Sequence, residues 1–274
     1  MLKNFRHRLK AAWWRRRGSV PNAAGANAAR WLALGRSFHG APRGYGFDDP
    51  GVDERVVEYA WLFDRMRALA SAGGPVLDAG SVLNYHPVLD AWKAAKLPPV
   101  SIVTLAYEGH AYPGTDVRYE FADLRRLPYR DEWFSTVLCL STIEHVGLDN
   151  RIYGAAAEGS TDPTREAVRA LQELQRVTRR GGTLLLSVPF GRSANRGWFR
   201  IFDTRDLEPL LTAPGWETPR VRCFRASPAG WREVPPAEAE DAGYNEPPGR
   251  PGQQTAPAWV AAAEAVALVE MRRA

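Results

Sequence analysis

The chain has 274 residues, of which 45% are hydrophobic and 24% are charged, so it is long enough to bury one sizeable core. This size favours one catalytic domain with appendages over two domains. Cys139 and Cys223 lie in apolar stretches rather than at disulfide or metal-ligand spacings, which indicates reduced core residues, a cytoplasmic location and no metal site.

The net charge of +5 is concentrated at the N-terminus. Residues 1–47 contain ten basic residues and no acidic residue. The sequence therefore divides into a basic N-terminal arm, 1–47, and a domain, 48–274.

Within the arm, Leu2, Phe5, Leu9 and Trp13 recur at three-to-four-residue spacing, which is typical of an amphipathic helix flanked by basic residues. Such a helix would place residues 1–17 on an anionic membrane surface. A solvated basic arm and a nucleic-acid-binding arm remain open alternatives. The pattern predicts neither a secretory signal nor a transmembrane span, because no apolar run is long enough.

Strands and helices are predicted to alternate along the domain. An apolar helix is expected within 52–72, followed by a strand over 76–78, a helix over 86–96 and strands over 100–105, 117–121 and 134–140. A third helix is predicted to begin at Asp162 and Pro163 and to run to Arg180, where Gly181 and Gly182 follow. The last strands are predicted over 183–188, 221–225 and 265–271, with a Pro/Gly-rich insertion near 235–257.

This alternation predicts a doubly wound sheet, in which the carboxyl ends of parallel strands meet at one edge. Asp78 and Gly80 end the first predicted strand, Asp123 follows the third, and Ser141 follows the fourth. We therefore expect a crevice of nucleotide size where these residues converge.

The segments PVLDAGS, ADLRRLPYRDEWFSTVLCLSTIEHV and RVTRRGGTLLLSVP resemble the class I S-adenosylmethionine (SAM)-dependent methyltransferases over residues 52–188. The STIEHVGL segment is similar to that of members acting on glycans and small molecules. The resemblance implies an α/β fold with a doubly wound, mostly parallel, seven-stranded Rossmann-like sheet, and SAM as the cofactor.

The same resemblance assigns the cofactor-binding residues. Asp78 would organise the methionine-binding loop, which continues through Ala79, Gly80 and Ser81. Asp123 would bind the adenine amino group and the Leu124 backbone a ring nitrogen. Ser141 stands where the fourth strand meets the active site.

The sequence departs from the family pattern in two places, the loop after the first strand and the end of the second strand. Val82 and Asn84 occupy the second and third positions of the glycine-rich loop, where their side chains could narrow the crevice. The acid that takes the ribose hydroxyls would align near Ala106, so Glu108 is the nearby substitute.

A hydroxyl acceptor must lose its proton as the methyl group arrives, and His145 has the unperturbed pKa best suited to accept it. Glu144 would orient the imidazole or bind the acceptor, and His86 is a weaker candidate base. The segment after Pro189 is rich in arginine and aromatic residues, which suits acceptor binding; its candidates are Arg192, Arg196, Trp198, Arg200 and Asp203. A lid or a solvated loop is the alternative interpretation.

Three functional hypotheses follow. The first is a SAM-dependent methyltransferase of polysaccharide biosynthesis, acting on a hydroxyl of a sugar or cell-envelope glycan precursor at the membrane surface. The second is a methyltransferase-fold scaffold without catalysis, motivated by Val82, Asn84 and Ala106. A nucleic-acid methyltransferase ranks last, because the chain lacks an Asn-Pro-Pro-Tyr type signature and a catalytic cysteine loop.

Overall fold

The computed structural model describes residues 54–69, 73–106, 117–155, 159–227, 230–245 and 263–274. Within these ranges the α-helices are α1 (Arg55–Leu69), α2 (His86–Ala94), α3 (Pro163–Val177) and α4 (Thr204–Leu211). The strands are β1 (Val76–Ala79), β2 (Val100–Thr104), β3 (Arg118–Phe121), β4 (Phe134–Leu140), β5 (Thr178–Pro189), β6 (Ala194–Asn195), β7 (Arg200–Ile201), β8 (Arg220–Arg225), β9 (Arg232–Val234) and β10 (Ala265–Arg272).

Eight of these strands form one sheet in the order β3-β2-β1-β4-β5-β10-β8-β9. Strands β1 to β5 pair in parallel, whereas β10 pairs antiparallel with both β5 and β8. The doubly wound, mostly parallel α/β fold is thereby confirmed. The sheet has eight strands rather than seven, because β9 pairs with β8 and extends the edge.

Alternating residues of the central strands face two separate layers of the core. Val76, Leu138 and Leu185 pack with the apolar faces of α1 and α2. Their neighbours Leu77 and Val137 pack with α3 and α4 on the other side of the sheet. Because successive side chains of a strand point to opposite faces, a strand that is buried throughout, such as β4, packs on both sides of the sheet.

Both cysteines lie in this core. Cys139 and Cys223 are buried and unpaired. Burial raises the pKa of both thiols, that of Cys223 to about 12. The thiolate form is therefore disfavoured, as expected of packing residues.

The predicted strand bounds agree with the structure to within one residue except at β5, which begins at Thr178 instead of Thr183. The first helix, expected within 52–72, spans Arg55–Leu69, and the two other predicted helices end earlier than expected. Helix α2 ends at Ala94 instead of Lys96, and α3 ends at Val177 instead of Arg180. Gly181 and Gly182 do not terminate α3 but lie within β5, at an irregularity in its pairing with β4. At Gly182 a Cβ atom would lie 2.7 Å from the Arg179 carbonyl oxygen, which explains why glycine is needed there.

The predicted insertion is described only in part. Residues 235–245 follow β9 and include a single 3₁₀ turn, Pro236–Glu238. Residues 246–257 and the basic arm, 1–47, lie outside the described residues.

Candidate functional site

A cavity of about 250 Å³ lies at the carboxyl edge of the sheet, between the loops that follow β1, β2, β3 and β4. Helix α1 contributes to its wall through Arg55. The predicted site residues that line this cavity are Gly80, Ser81, Asp123, Leu124, Ser141 and His145. The sheet therefore brings together residues from three separate segments, as expected when the carboxyl ends of parallel strands meet at one edge.

The loop after β1 is held by Asp78, which is fully buried. Its two carboxylate oxygens accept the backbone N–H groups of Val82, at 3.2 Å, and Leu83, at 2.7 Å. Gly80 has a φ of +127°, and a Cβ atom there would lie 2.0 Å from the Thr142 hydroxyl oxygen. Asp78 thus holds the loop after β1 through its backbone N–H groups, and the absence of a side chain at Gly80 lets this loop pack directly against the loop after β4.

The two residues that replace loop glycines have different positions. Val82 lines the cavity, and its carbonyl accepts a hydrogen bond of 2.7 Å from the Tyr59 hydroxyl. Asn84 is fully buried and accepts a 2.7 Å hydrogen bond from the Tyr119 hydroxyl, which tethers the loop to β3. Only Val82 narrows the crevice, whereas Asn84 stabilises the loop from outside the cavity.

The wall formed by β2 and β3 is mainly apolar. Leu105, Ala106 and Ala122 line it together with Leu124, a composition suited to the face of a purine ring. Strand β2 ends at Thr104, so Ala106 lies just beyond the strand end, the position at which the family pattern places the ribose-binding acid. Glu108, the predicted ribose ligand, lies outside the described residues.

Asp123 lies at the cavity wall but is bound by Arg125. One carboxylate oxygen accepts the Arg125 backbone N–H at 2.8 Å and its Nε at 2.9 Å, and the other oxygen contacts a terminal guanidinium nitrogen. Partial burial would raise the pKa of Asp123, but the hydrogen bonds and charge of Arg125 outweigh it and lower the pKa. Glu166 on α3 also contacts Arg125, so this cation has two carboxylate partners.

His145 is held in a defined orientation at the opposite wall. Its Nδ1 atom lies 2.8 Å from the carbonyl oxygen of Trp198, and the two rings stack with centroids 5.3 Å apart. Because a carbonyl only accepts hydrogen bonds, Nδ1 must carry the proton, and Nε2 is left as an unprotonated acceptor. The Tyr153 hydroxyl lies 3.4 Å from Nε2.

Burial lowers the pKa of His145 to about 4, although its hydrogen bond to Trp198 acts in the opposite direction. The imidazole is therefore neutral at neutral pH. In this form Nε2 can take a proton from a bound group.

Glu144 is buried beside His145 and does not line the cavity. Its Oε1 atom lies 3.9 Å from His145 Nε2, which is beyond hydrogen-bond distance, and its Oε2 atom is buried without a partner. Burial raises the pKa of this carboxyl well above its usual value, and the neighbouring Glu58 adds to the effect. The uncharged form is thus favoured, and the Trp198 carbonyl, rather than Glu144, orients the imidazole.

The predicted acceptor-side residues occupy a short β-ribbon made of β6 and β7. Arg192 and Arg196 are exposed, and neither lines the cavity. Trp198 reaches the site by stacking on His145. Arg200 is 7% exposed, donates to the Thr164 hydroxyl at 2.7 Å and lies over the Phe202 ring, so it ties the ribbon to α3.

Two weaker candidates have structural roles in this fold. Asp203 is the N-cap of α4, where it forms a capping box with Asp206. His86 begins α2, half-exposed and 3.2 Å from Asp90, and does not line the cavity.

Several site residues escaped the sequence prediction. Arg55, Arg125 and Tyr153 line the cavity, and the buried carboxylate of Glu58 contacts both Arg55 and Ser141. One sequence signal was available, since Arg55 and Glu58 are charged residues in a helix otherwise expected to be packed on the sheet.

The sheet order and the site define a Rossmann-like α/β protein whose cavity, at the carboxyl edge of the parallel strands, is lined by a candidate proton acceptor. Residues 100–186 match the family described as Methyltransferase domain, a match that spans less than half of the chain. Together with the fold, this match supports a SAM-dependent methyltransferase with SAM as its cofactor. No curated protein sequence is significantly similar to the chain.

Solved structures similar to the chain include the following two. The cyclase SpnF is 18% identical, with 91% of this chain and 94% of that chain covered and a TM-score of 0.47. The 1,6-didemethyltoxoflavin-N1-methyltransferase of Burkholderia thailandensis, solved with 1,6-didemethyltoxoflavin and S-adenosylhomocysteine bound, is 15% identical, with 93% and 92% covered and a TM-score of 0.45. At these low identities and scores, neither activity is transferred to this chain.

Among the described residues, no helix is both long and apolar enough to cross a membrane. The same residues contain no group of three or more His, Cys, Asp or Glu side chains placed to hold a metal ion.

Proposed function

We propose that this protein O-methylates a hydroxyl group of a sugar or cell-envelope glycan precursor, with SAM as the methyl donor. The observation that carries the proposal is His145, which lines the cavity and whose Nε2 atom is unprotonated while Nδ1 donates to the Trp198 carbonyl. Tyr153, which also lines the cavity and packs edge-on against His145, offers an aromatic ring suited to a sugar.

The residues present fit the cofactor. The Asp78-held turn, with Gly80 and Ser81, would support the methionine part, and the apolar wall with Asp123 and Leu124 would hold the adenine. When bound, SAM supplies a methyl group made electrophilic by its sulfonium sulfur.

His145 performs the proton transfer in this proposal. Its Nε2 atom accepts the hydroxyl proton as the acceptor oxygen takes up the methyl group, while Nδ1 keeps its own proton on the Trp198 carbonyl. The Trp198 contact fixes the ring orientation, so positioning and proton acceptance come from the same pair of residues.

Titration calorimetry of the full chain with S-adenosylhomocysteine tests the cofactor assignment. We expect saturable binding with one site per chain, because the cavity offers a turn, a carboxylate and an apolar wall at the same sheet edge. Absence of heat at high micromolar ligand would refute the enzyme proposal.

A methyltransferase-fold binding protein without catalysis is the second candidate. Two features favour this candidate. Val82 on the cavity wall reduces the space for adenosine, and the ion pair with Arg125 occupies the Asp123 carboxylate that would bind the adenine amino group. Measured methyl transfer to any acceptor excludes this candidate. Binding of S-adenosylhomocysteine with no transfer to a panel of glycosides would favour it.

We also propose, from the sequence of the arm, that residues 1–17 attach the protein to an anionic membrane surface. Each basic residue near such a surface contributes about 1 kcal/mol. Neutralising Arg15, Arg16 and Arg17 is therefore expected to weaken binding to phosphatidylserine vesicles by about 3 kcal/mol, or roughly a hundredfold.

Vesicle sedimentation at low and high salt measures this effect. The matched control neutralises three exposed arginines outside the arm, Arg180, Arg205 and Arg220. Equal losses in the two triple variants would show that net charge alone is responsible and would contradict the assignment to the arm.

A further inference from the structure

Arg55 is a cation built into the cavity wall and held there by Glu58. Its Nη1 atom lies 2.5 Å from Glu58 Oε2. The Glu58 side chain is fully buried, and its other oxygen accepts hydrogen bonds from the hydroxyls of Ser141, at 2.6 Å, and Ser187. One carboxylate thus connects α1, the loop after β4 and strand β5, which leaves the guanidinium little freedom to leave the wall.

Two arginines line the cavity, and their charge environments differ. Arg125 is in contact with the carboxylates of both Asp123 and Glu166. For Arg55 the ion pair is with Glu58, whose charge is shared with two serine hydroxyls. Arg55 is thus the cavity cation on the β4 and β5 side of the sheet, where its charge can attract an anionic ligand group.

The acidic neighbours of Arg55 do not remove this attraction. Burial raises the pKa of both Glu54 and Glu144, which favours their uncharged forms. Burial opposes the charge on Arg55, but Glu58 and its other neighbours raise the pKa of the guanidinium further, so it remains charged.

The position of Arg55 along the sheet indicates which ligand group it meets. Asp123 and the apolar wall follow β3 and β2, whereas the Arg55–Glu58 pair is tied to β4 and β5. With neighbouring strands about 4.8 Å apart, β2 and β3 lie two and three strand spacings from β4 in the sheet order, which is roughly 10–14 Å. This is the span between the adenine and the amino-acid end of the cofactor.

We propose that Arg55 binds the α-carboxylate of the cofactor's methionine part and that Glu58 is its positioning residue. The inference rests on the proposed function, because it assumes SAM as the ligand. A guanidinium presents a planar set of N–H donors that matches a carboxylate, which a lysine ammonium does not.

The test compares SAM with decarboxylated SAM, which differs only in the missing carboxylate. Calorimetry of the full chain is done without an acceptor, so no turnover is involved. The wild-type protein is expected to bind SAM at least tenfold more tightly than decarboxylated SAM. In Arg55→Gln the affinity for SAM is expected to fall about tenfold or more, while that for decarboxylated SAM changes little, so the selectivity disappears.

Two further variants sharpen the result. Arg65→Gln is the matched control, since Arg65 lies on the same helix, pairs with Glu270 at 2.8 Å and does not line the cavity; its selectivity is expected to equal that of the wild type. Glu58→Gln keeps the shape of the side chain but removes its charge, and is expected to lose part of the selectivity. A merely structural role for Glu58 would weaken the binding of both ligands equally.

The possible failures are distinguishable. If the wild type binds neither ligand, the proposed function and this inference fall together. If the wild type binds SAM but Arg55→Gln weakens both ligands equally, or neither, the proposed function stands and the assignment of Arg55 is wrong. An unchanged selectivity with a raised KM for an acidic acceptor would also overturn it and place Arg55 on the acceptor side.

Discussion

Replacing His145 with alanine is expected to reduce methyl transfer by about a hundredfold or more, because the variant lacks the Nε2 atom that accepts the hydroxyl proton. Affinity for S-adenosylhomocysteine should change little, since proton acceptance matters only when the acceptor reacts. Transfer from radiolabelled SAM to a panel of glycosides, with calorimetry beside it, measures both quantities.

The pH profile adds an independent check. Because burial lowers the pKa of His145 to about 4, the proton-accepting form is complete above about pH 5. The rate of methyl transfer should therefore rise between about pH 3 and pH 5 and stay level through neutral pH. A rise centred near pH 6.5 would instead indicate an imidazole in a water-like environment.

The same alanine substitution at His86 serves as the comparison. His86 is half-exposed at the start of α2 and pairs with Asp90, so little effect on transfer is expected. If His86→Ala were the damaging variant and His145→Ala were active, the assignment of the proton acceptor would be reversed.

Gly80→Ala is expected to destabilise the protein by about 2–5 kcal/mol, the sum of an unfavourable φ and overpacking. The φ of Gly80 is +127°, and the new Cβ would lie 2.0 Å from Oγ1, 2.4 Å from Cγ2 and 2.6 Å from Cβ of Thr142. Rotating the Thr142 side chain leaves its Cβ in place, so the backbone of one loop must move. Thermal unfolding should report a clear decrease in Tm.

The control is Gly73→Ala, where φ is +58° and a Cβ atom would meet nothing within 4 Å. The double variant Gly80→Ala/Thr142→Ala should recover part of the lost stability, because two of the three clashing atoms are removed. Equal Tm values for Gly80→Ala and Gly73→Ala would show that the loops can separate at no cost.

The central strands were predictable from the sequence. Strand β4 has the predicted bounds, Phe134–Leu140, because seven consecutive buried residues leave no other pattern to compete. The positions of Gly80, Asp123 and Ser141 at the cavity follow from the rule that parallel strands end together.

The partners of the site residues were not predictable. Glu58 lies 83 residues before Ser141 and 129 residues before Ser187, and no local sequence pattern predicts contacts over such separations. The Trp198 carbonyl that fixes the tautomer of His145 belongs to the turn between β6 and β7, which the sequence left open as a lid or a solvated loop.

The end of α3 shows why local signals and tertiary structure differ. Helix propensity and the two glycines predicted an end at Arg180, yet the helix stops at Val177. Arg273, which directly follows β10, donates from Nη1 to the carbonyls of Gln175, Arg176 and Thr178, and these hydrogen bonds satisfy the helix end. Hydrophobic periodicity and the residues at strand ends are local properties of the sequence, and they determined the architecture and the edge of the sheet at which the site lies. The groups that neutralise or orient each site residue belong to distant segments of the chain, and only folding brings them into contact.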